Sequence, residues 1–106
     1  MATGRLGTAD LSATTNTTLY TCPSSTFAVV NVSICNRNAT GVTVRLAIAS
    51  TATPGNAEYI EFGTTIPANS VLERTGLVLD AGKQLVVYSS ATSVNAVAYG
   101  IETSTV

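Results

Sequence analysis

Histidine and tryptophan are absent from this 106-residue chain, and charge is scarce. Without imidazole there is no Ser-His or Cys-His nucleophile pair, no His-ligated zinc, and no side chain that titrates near neutrality by default. The two cysteines cannot build a structural zinc site alone. No apolar run reaches the roughly 18 residues of a membrane-crossing helix. The opening residues, MATGRLGTAD, lack the apolar core of a signal peptide, so folding in a cytoplasm is expected. Charged residues make up 10% of the chain, against about a quarter in ordinary domains. Arg5, Arg37, Arg45, Arg74 and Lys83 are scattered and balanced by six acids, for a net charge of −1. That distribution argues against nucleic acid as a partner. Neither a cofactor nor a membrane is expected.

Hydroxyls supply the polarity that charge does not: there are 18 Thr and 10 Ser. With 45% hydrophobic residues and almost no net charge, the chain is not of disordered composition. Its length suits one domain. Periodicity is two almost everywhere. In Phe27 to Cys35, Val30, Val32 and Ile34 share one face while Asn31 and Ser33 take the other. In Val42 to Ala49, Val42, Val44, Leu46 and Ile48 point inward, which sends Thr43, Arg45, Ala47 and Ala49 outward. Further strands are expected at Thr17–Cys22, Glu58–Phe62, Val71–Leu79, Gln84–Ser89 and Val94–Glu102. About seven or eight short strands rich in Val, Thr and Ile predict an all-β fold, an antiparallel jelly-roll-like β-sandwich over residues 17–106. Residues 1–16 show no strong pattern and are expected to form an N-terminal arm, mobile or ordered only against another subunit.

Three segments share one turn chemistry: Cys22-Pro23-Ser24-Ser25-Thr26, Ile66-Pro67-Ala68-Asn69-Ser70 and Leu79-Asp80-Ala81-Gly82-Lys83. Each sets an apolar residue before Pro or Asp, then small residues, then Ser, Asn or Gly. Pro fixes φ for the first corner, and Gly or Asn accepts a positive φ later.

No catalytic or metal residues emerge. Glu58 and Glu61 would have to converge for acid–base work on a sugar, but in a regular strand they project to opposite faces. Glu73 and Arg74 also point apart, each open to pairing with a neighbouring strand or subunit. Cys22 and Cys35 are expected to be free, buried thiols. A hairpin joining Thr17–Cys22 to Phe27–Cys35 would place them too far apart along the ladder for a bridge. Tyr20, Tyr59, Tyr88 and Tyr99 suit the edge of a core better than a sugar-stacking platform. Expected subunit contacts are Arg5, Leu6, Leu11, Arg45, Ala47, Ala49, Glu73 and Arg74. Ala96 and Ala98 join Ala47 and Ala49 as small outward positions. Asn56, Tyr59 and Glu61 are the candidate glycan contacts.

The succession LYTCPSSTFAVVNVSICNRN, VTVRLAIA, NAEYIEFGTTIPANSVLERTGLVLDAGKQLVVYSS and VNAVAYGIE resembles small virion structural proteins of tailed bacteriophages, particularly those of cyanophages and other marine phages. It runs from Leu19 to Glu102, about four fifths of the chain. The resemblance implies a non-enzymatic virion protein, made and folded in the host cytoplasm. Its implied partners are other virion proteins and copies of itself. The scarce charge and the small outward positions Ala47, Ala49, Ala96 and Ala98 point to a homo-oligomer, a trimer for preference. A tail-side place (neck, baseplate or fibre attachment) ranks above capsid decoration. The competing expectation is a carbohydrate-binding module for host-surface recognition, which requires an exposed aromatic row.

Overall fold

Alternation along nearly the whole chain gives each strand one face to bury, a need that two sheets stacked face to face satisfy. The structure, a computed structural model, describes residues 2–105. Eight strands run through them: β1 (Thr3–Leu11), β2 (Thr17–Thr21), β3 (Thr26–Asn36), β4 (Val42–Ala49), β5 (Tyr59–Ile66), β6 (Val71–Leu79), β7 (Gln84–Ser89) and β8 (Val94–Ser104). They form two antiparallel sheets, ordered β1-β8-β3-β6 and β2-β7-β4-β5. Strand β1 pairs with β8, β2 with β7, β3 with β6 and β4 with β5. The chain is therefore one long hairpin, turned at residues 50–58. It is rolled up so that β8 also meets β3 and β7 also meets β4. This is a jelly roll, the sandwich expected from the sequence.

Val30, Val32 and Ile34 of β3, Val44 and Leu46 of β4, Leu79 of β6, and Leu85 and Val87 of β7 meet between the sheets with essentially no exposure. Full burial of such a side chain contributes roughly 1.5–3 kcal/mol. Ala96 and Ala98 depart from expectation, because both are buried core residues of β8. Over residues 94–101 apolar groups fall on both faces, so residue size alone does not reveal which side turns inward.

The expected arm is also corrected. Residues 3–11 form β1, paired with β8 from Thr3↔Ile101 to Leu11↔Val94. Its inward residues are modest: Leu11 is buried, while Leu6 and Ala9 are partly buried against the core. Glycine occupies the point of closest approach, since a Cβ on Gly7 would lie 2.2 Å from the Leu19 carbonyl oxygen. An edge strand squeezed against β2 has little room for large apolar groups, which is why its pattern is faint.

Both cysteines are free, but for a reason other than the one expected. Strands β2 and β3 do not form a hairpin and lie in different sheets. Cys22 is buried, its thiol donating toward the carbonyls of Thr26 at 3.4 Å and Leu79 at 3.6 Å. Cys35 is only half-buried, on the outward side of β3.

The three turns behave as their chemistry requires. Ser25, Asn69 and Gly82 carry positive φ values of 52°, 56° and 82° at the equivalent position. The amides of Ser70 and Lys83 donate back to the carbonyls of Pro67 and Asp80. One end of the sandwich is tied together by the Asn36-Arg37-Asn38 loop. Buried Asn36 donates through Nδ2 to the carbonyls of Thr40, Ile66 and Pro67, and its Oδ1 accepts from Asn38. Asn38 donates to the Thr92 carbonyl, and Arg37 pairs with Asp10 at 2.7 Å.

Candidate functional site

The outer face of β2-β7-β4-β5 carries an aromatic row. Phe62, Arg45 and Tyr88 lie directly across β5, β4 and β7. The guanidinium carbon of Arg45 is 4.3 Å from the ring centroid of each neighbour, a double cation–π sandwich. Tyr59 meets Phe62 edge-on, with centroids 4.9 Å apart and planes at 81°. Tyr59 and Phe62 are three residues apart and would oppose each other in a regular strand. An extra residue, Ile60, between the pairings Leu46↔Glu61 and Ala47↔Tyr59 brings both to the outer side. Phe62 is 63% exposed. Arg45 has no carboxylate partner among the described residues. A stacked guanidinium beside open ring surface can hold the C–H face of a sugar ring or a planar group.

The carboxylates serve the scaffold. Glu61 accepts from the Thr64 hydroxyl at 2.5 Å and pairs with Arg74, which also donates to the Ile60 carbonyl. The pair ties β5 to β6 where the edges of the two sheets meet. The Thr64 hydrogen bond, ahead of the Arg74 charge, holds the Glu61 carboxyl below the usual carboxylate range although partial burial opposes it. Glu58 accepts from the amides of Gly55 and Ser50, which lower its pKa and close the β4–β5 loop. Buried Tyr20 donates to Glu102 at 2.5 Å, and Glu102 also accepts from the Ala2 amide. Burial, then the Glu102 carboxylate, pushes the Tyr20 phenol above its ordinary range, and the same bond lowers Glu102.

The opposite outer face, on β1-β8-β3-β6, is apolar and open. Val78, Val29, Ile101 and Thr3 form one row across four strands. Tyr99 lies between Arg5 and Asn31 in the next row, and Val97 lies between Thr8 and Ser33 in the one after. Val78 is 60% exposed and Ile101 50%, with Phe27 and Val71 also exposed on this side.

The expected subunit contacts divide between surface and interior. Arg5 and Glu73 are exposed at the two edges of the open face, without ion partners among the described residues. Arg45 belongs to the aromatic row, and Arg74 is engaged by Glu61. Leu6 packs against the core, while Leu11, Ala47 and Ala49 are fully covered. Ala47 and Ala49 do face outward, in rows with Val86 and Gln84, but those rows bury them. Contact from outside therefore cannot reach Leu11, Ala47 or Ala49. Of the candidate glycan contacts, Tyr59 joins the row, Asn56 sits exposed in the β4–β5 loop, and Glu61 is committed to Thr64 and Arg74. Phe62, Val78 and Ile101 were not expected as surface features. Each is an ordinary apolar residue in a strand, and only the bulges and pairing reveal its outward aim.

No protein-family model and no curated protein matches the chain. Among solved structures, a chain of the cyanophage Pam1 capsid asymmetric unit is similar to it. The identity is 16% and the TM-score 0.43, covering 92% of this chain and 83% of that chain.

Proposed function

We propose that this protein is a non-enzymatic structural component of a tailed-phage virion, a self-associating jelly roll that docks on a larger viral assembly. A tail-side position ranks ahead of capsid decoration. The observation that carries the reading is the open face, where apolar side chains of β3, β6 and β8 stand exposed beside Arg5 and Glu73, which have no ion partner among the described residues. A surface of that kind marks association more often than chance exposure. The phrase order from Leu19 to Glu102 supports the virion setting. The test is localisation of the chain in purified, intact particles by antibody labelling and electron microscopy. Defined, repeated positions on the particle are expected, and absence from purified particles would overturn the reading.

A second reading, glycan recognition for host attachment, is favoured by one feature: the Tyr59–Phe62–Arg45–Tyr88 row. Binding to immobilised host-surface polysaccharide, lost in Phe62→Ala with the fold intact, would support it. No binding by the multimeric protein would remove it.

A further inference from the structure

We infer that the outer face of β1-β8-β3-β6 pairs with the same face of a second copy, about a two-fold axis running parallel to the strands between β8 and β3. The inference rests on the self-association proposed above and specifies its surface and symmetry. In a two-fold contact the same patch serves both partners and must be self-complementary. This face meets that condition twice, through charge and through apolar shape.

The charge pattern selects the axis. Arg5 stands on edge strand β1 and Glu73 on edge strand β6, both pointing outward and neither with an ion partner among the described residues. A two-fold parallel to the strands exchanges β1 with β6 and β8 with β3. Each Arg5 then lies over the partner's β6. Through Tyr99 and Asn31, its row is level with the bulge at Thr75 and Gly76, one row from Glu73. That offset is two residues, about 7 Å along a strand, within reach of an extended arginine across sheets packed about 10 Å apart. The alternative axis, perpendicular to the strands but still in the plane, sets β1 over β1 and β6 over β6. It brings Arg5 toward Arg5 and Glu73 toward Glu73, so like charges oppose it.

The apolar pattern fits the same axis. Exchange of β8 with β3 within the first row sets Ile101 of each copy over Val29 of the other, and Val78 over Thr3. Exposed apolar surface is thus covered by small or β-branched side chains, and no charge is buried at the centre. The other outer face lacks this property. The same axis there would exchange β4 with β7 and set Arg45 over the partner's Tyr88, covering a guanidinium that has no carboxylate partner among the described residues.

Sedimentation velocity of the full chain, over a range of concentrations, tests the pairing. A monomer–dimer equilibrium is expected. Val78→Lys should weaken it at least tenfold with the circular dichroism spectrum unchanged. Arg5→Glu and Glu73→Arg should each weaken it, and the double charge swap should restore it. Arg5, Glu73 and Val78 are exposed, and neither charged group has an ion partner among the described residues, so folding is spared. A trimer or other oligomer indifferent to all four variants would overturn the two-fold pairing and leave self-association standing. A monomer at every concentration would overturn the pairing and the self-association together, without deciding whether the chain is in the virion.

Discussion

The two outer faces of this sandwich come from the same alternation of residues, yet on one the large side chains stack on one another and on the other they stand apart. On β2-β7-β4-β5 the large groups Phe62, Arg45 and Tyr88 stack along a row, and Ala47, Ala49 and Val86 are covered. On β1-β8-β3-β6 the row Val78, Val29, Ile101 and Thr3 is β-branched throughout and too short to cover itself, so Val78 and Ile101 stay open. The lesson is that outward side chains on a sheet engage one another only where cross-strand neighbours are long enough to meet, as Arg45 meets Phe62 and Tyr88. The stacked row contributes contacts within its own chain, whereas Val78 and Ile101 leave apolar surface uncovered.

The comparison breaks most severely if the sheet behind the open face is spread. A Cβ on Gly100 would lie 2.0 Å from the Val29 carbonyl oxygen, inside the β3–β8 pairing. Gly100→Val is expected to cost on the order of 3 kcal/mol or more by overpacking. That corresponds to a Tm fall of roughly 15 °C, read by thermal circular dichroism. A variant that melts like the parent would contradict the close approach of those strands.

The next effect separates the faces directly. Arg45→Ala removes two cation–π contacts, worth about 0.5–1 kcal/mol each at an exposed site. It should lower stability in urea denaturation, whereas Val78→Thr should stay within about 0.5 kcal/mol at concentrations where the chain is monomeric. Equal losses at the two positions would erase the distinction.

Acid should loosen the rims that join the two sheets. Glu61 and Glu102 both have carboxyls held below their ordinary values. Their contribution is therefore present above the unfolded value of about 4.3 and is lost as pH falls through the folded values. A Tm steady from neutral pH to about 5.5 and falling below about 4.5 is expected, with Glu61→Gln removing part of the slope. A flat profile into strong acid would show that these contacts contribute nothing.

The smallest effect concerns the thiols. A disulfide would contribute about 2–4 kcal/mol, so dithiothreitol would shift its melting visibly. Here reductant is expected to leave the Tm unchanged. Cys35, half-buried on the open face, should react with a thiol reagent before buried Cys22, whose thiol burial pushes up. Equal labelling rates would contradict that difference in exposure.

Much of the architecture was legible because side-chain period and turn chemistry are local. The bounds of Val42–Ala49, Val71–Leu79 and Gln84–Ser89 follow from alternation closed by turn residues. The positive φ values at Asn69 and Gly82 follow from residue types that accept them. Strand β1 was missed because an edge strand crowded at Gly7 buries little. Ala96 and Ala98 were assigned the wrong side because apolar residues lie on both faces of residues 95–101, as Val97, Tyr99 and Ile101 do opposite them, so the pattern carries no clear phase. Of the aromatic row, Arg45 was singled out as a subunit contact, Tyr59 as a glycan contact and Tyr88 as a core-edge tyrosine, but Phe62 was not, because one extra residue at Ile60 sets its direction.

By itself, then, the sequence determined an all-β sandwich, its turns, and the absence of imidazole chemistry, since these depend on residue type and short-range spacing. Tertiary structure alone decided that β1 closes on β8 across almost the whole chain, that Arg45 is clasped by residues 17 and 43 positions away, and that Arg5 and Glu73 border one open face. Those facts are pairings between distant strands, and a register of that kind is chosen by the packing of the whole sandwich rather than by any segment within it.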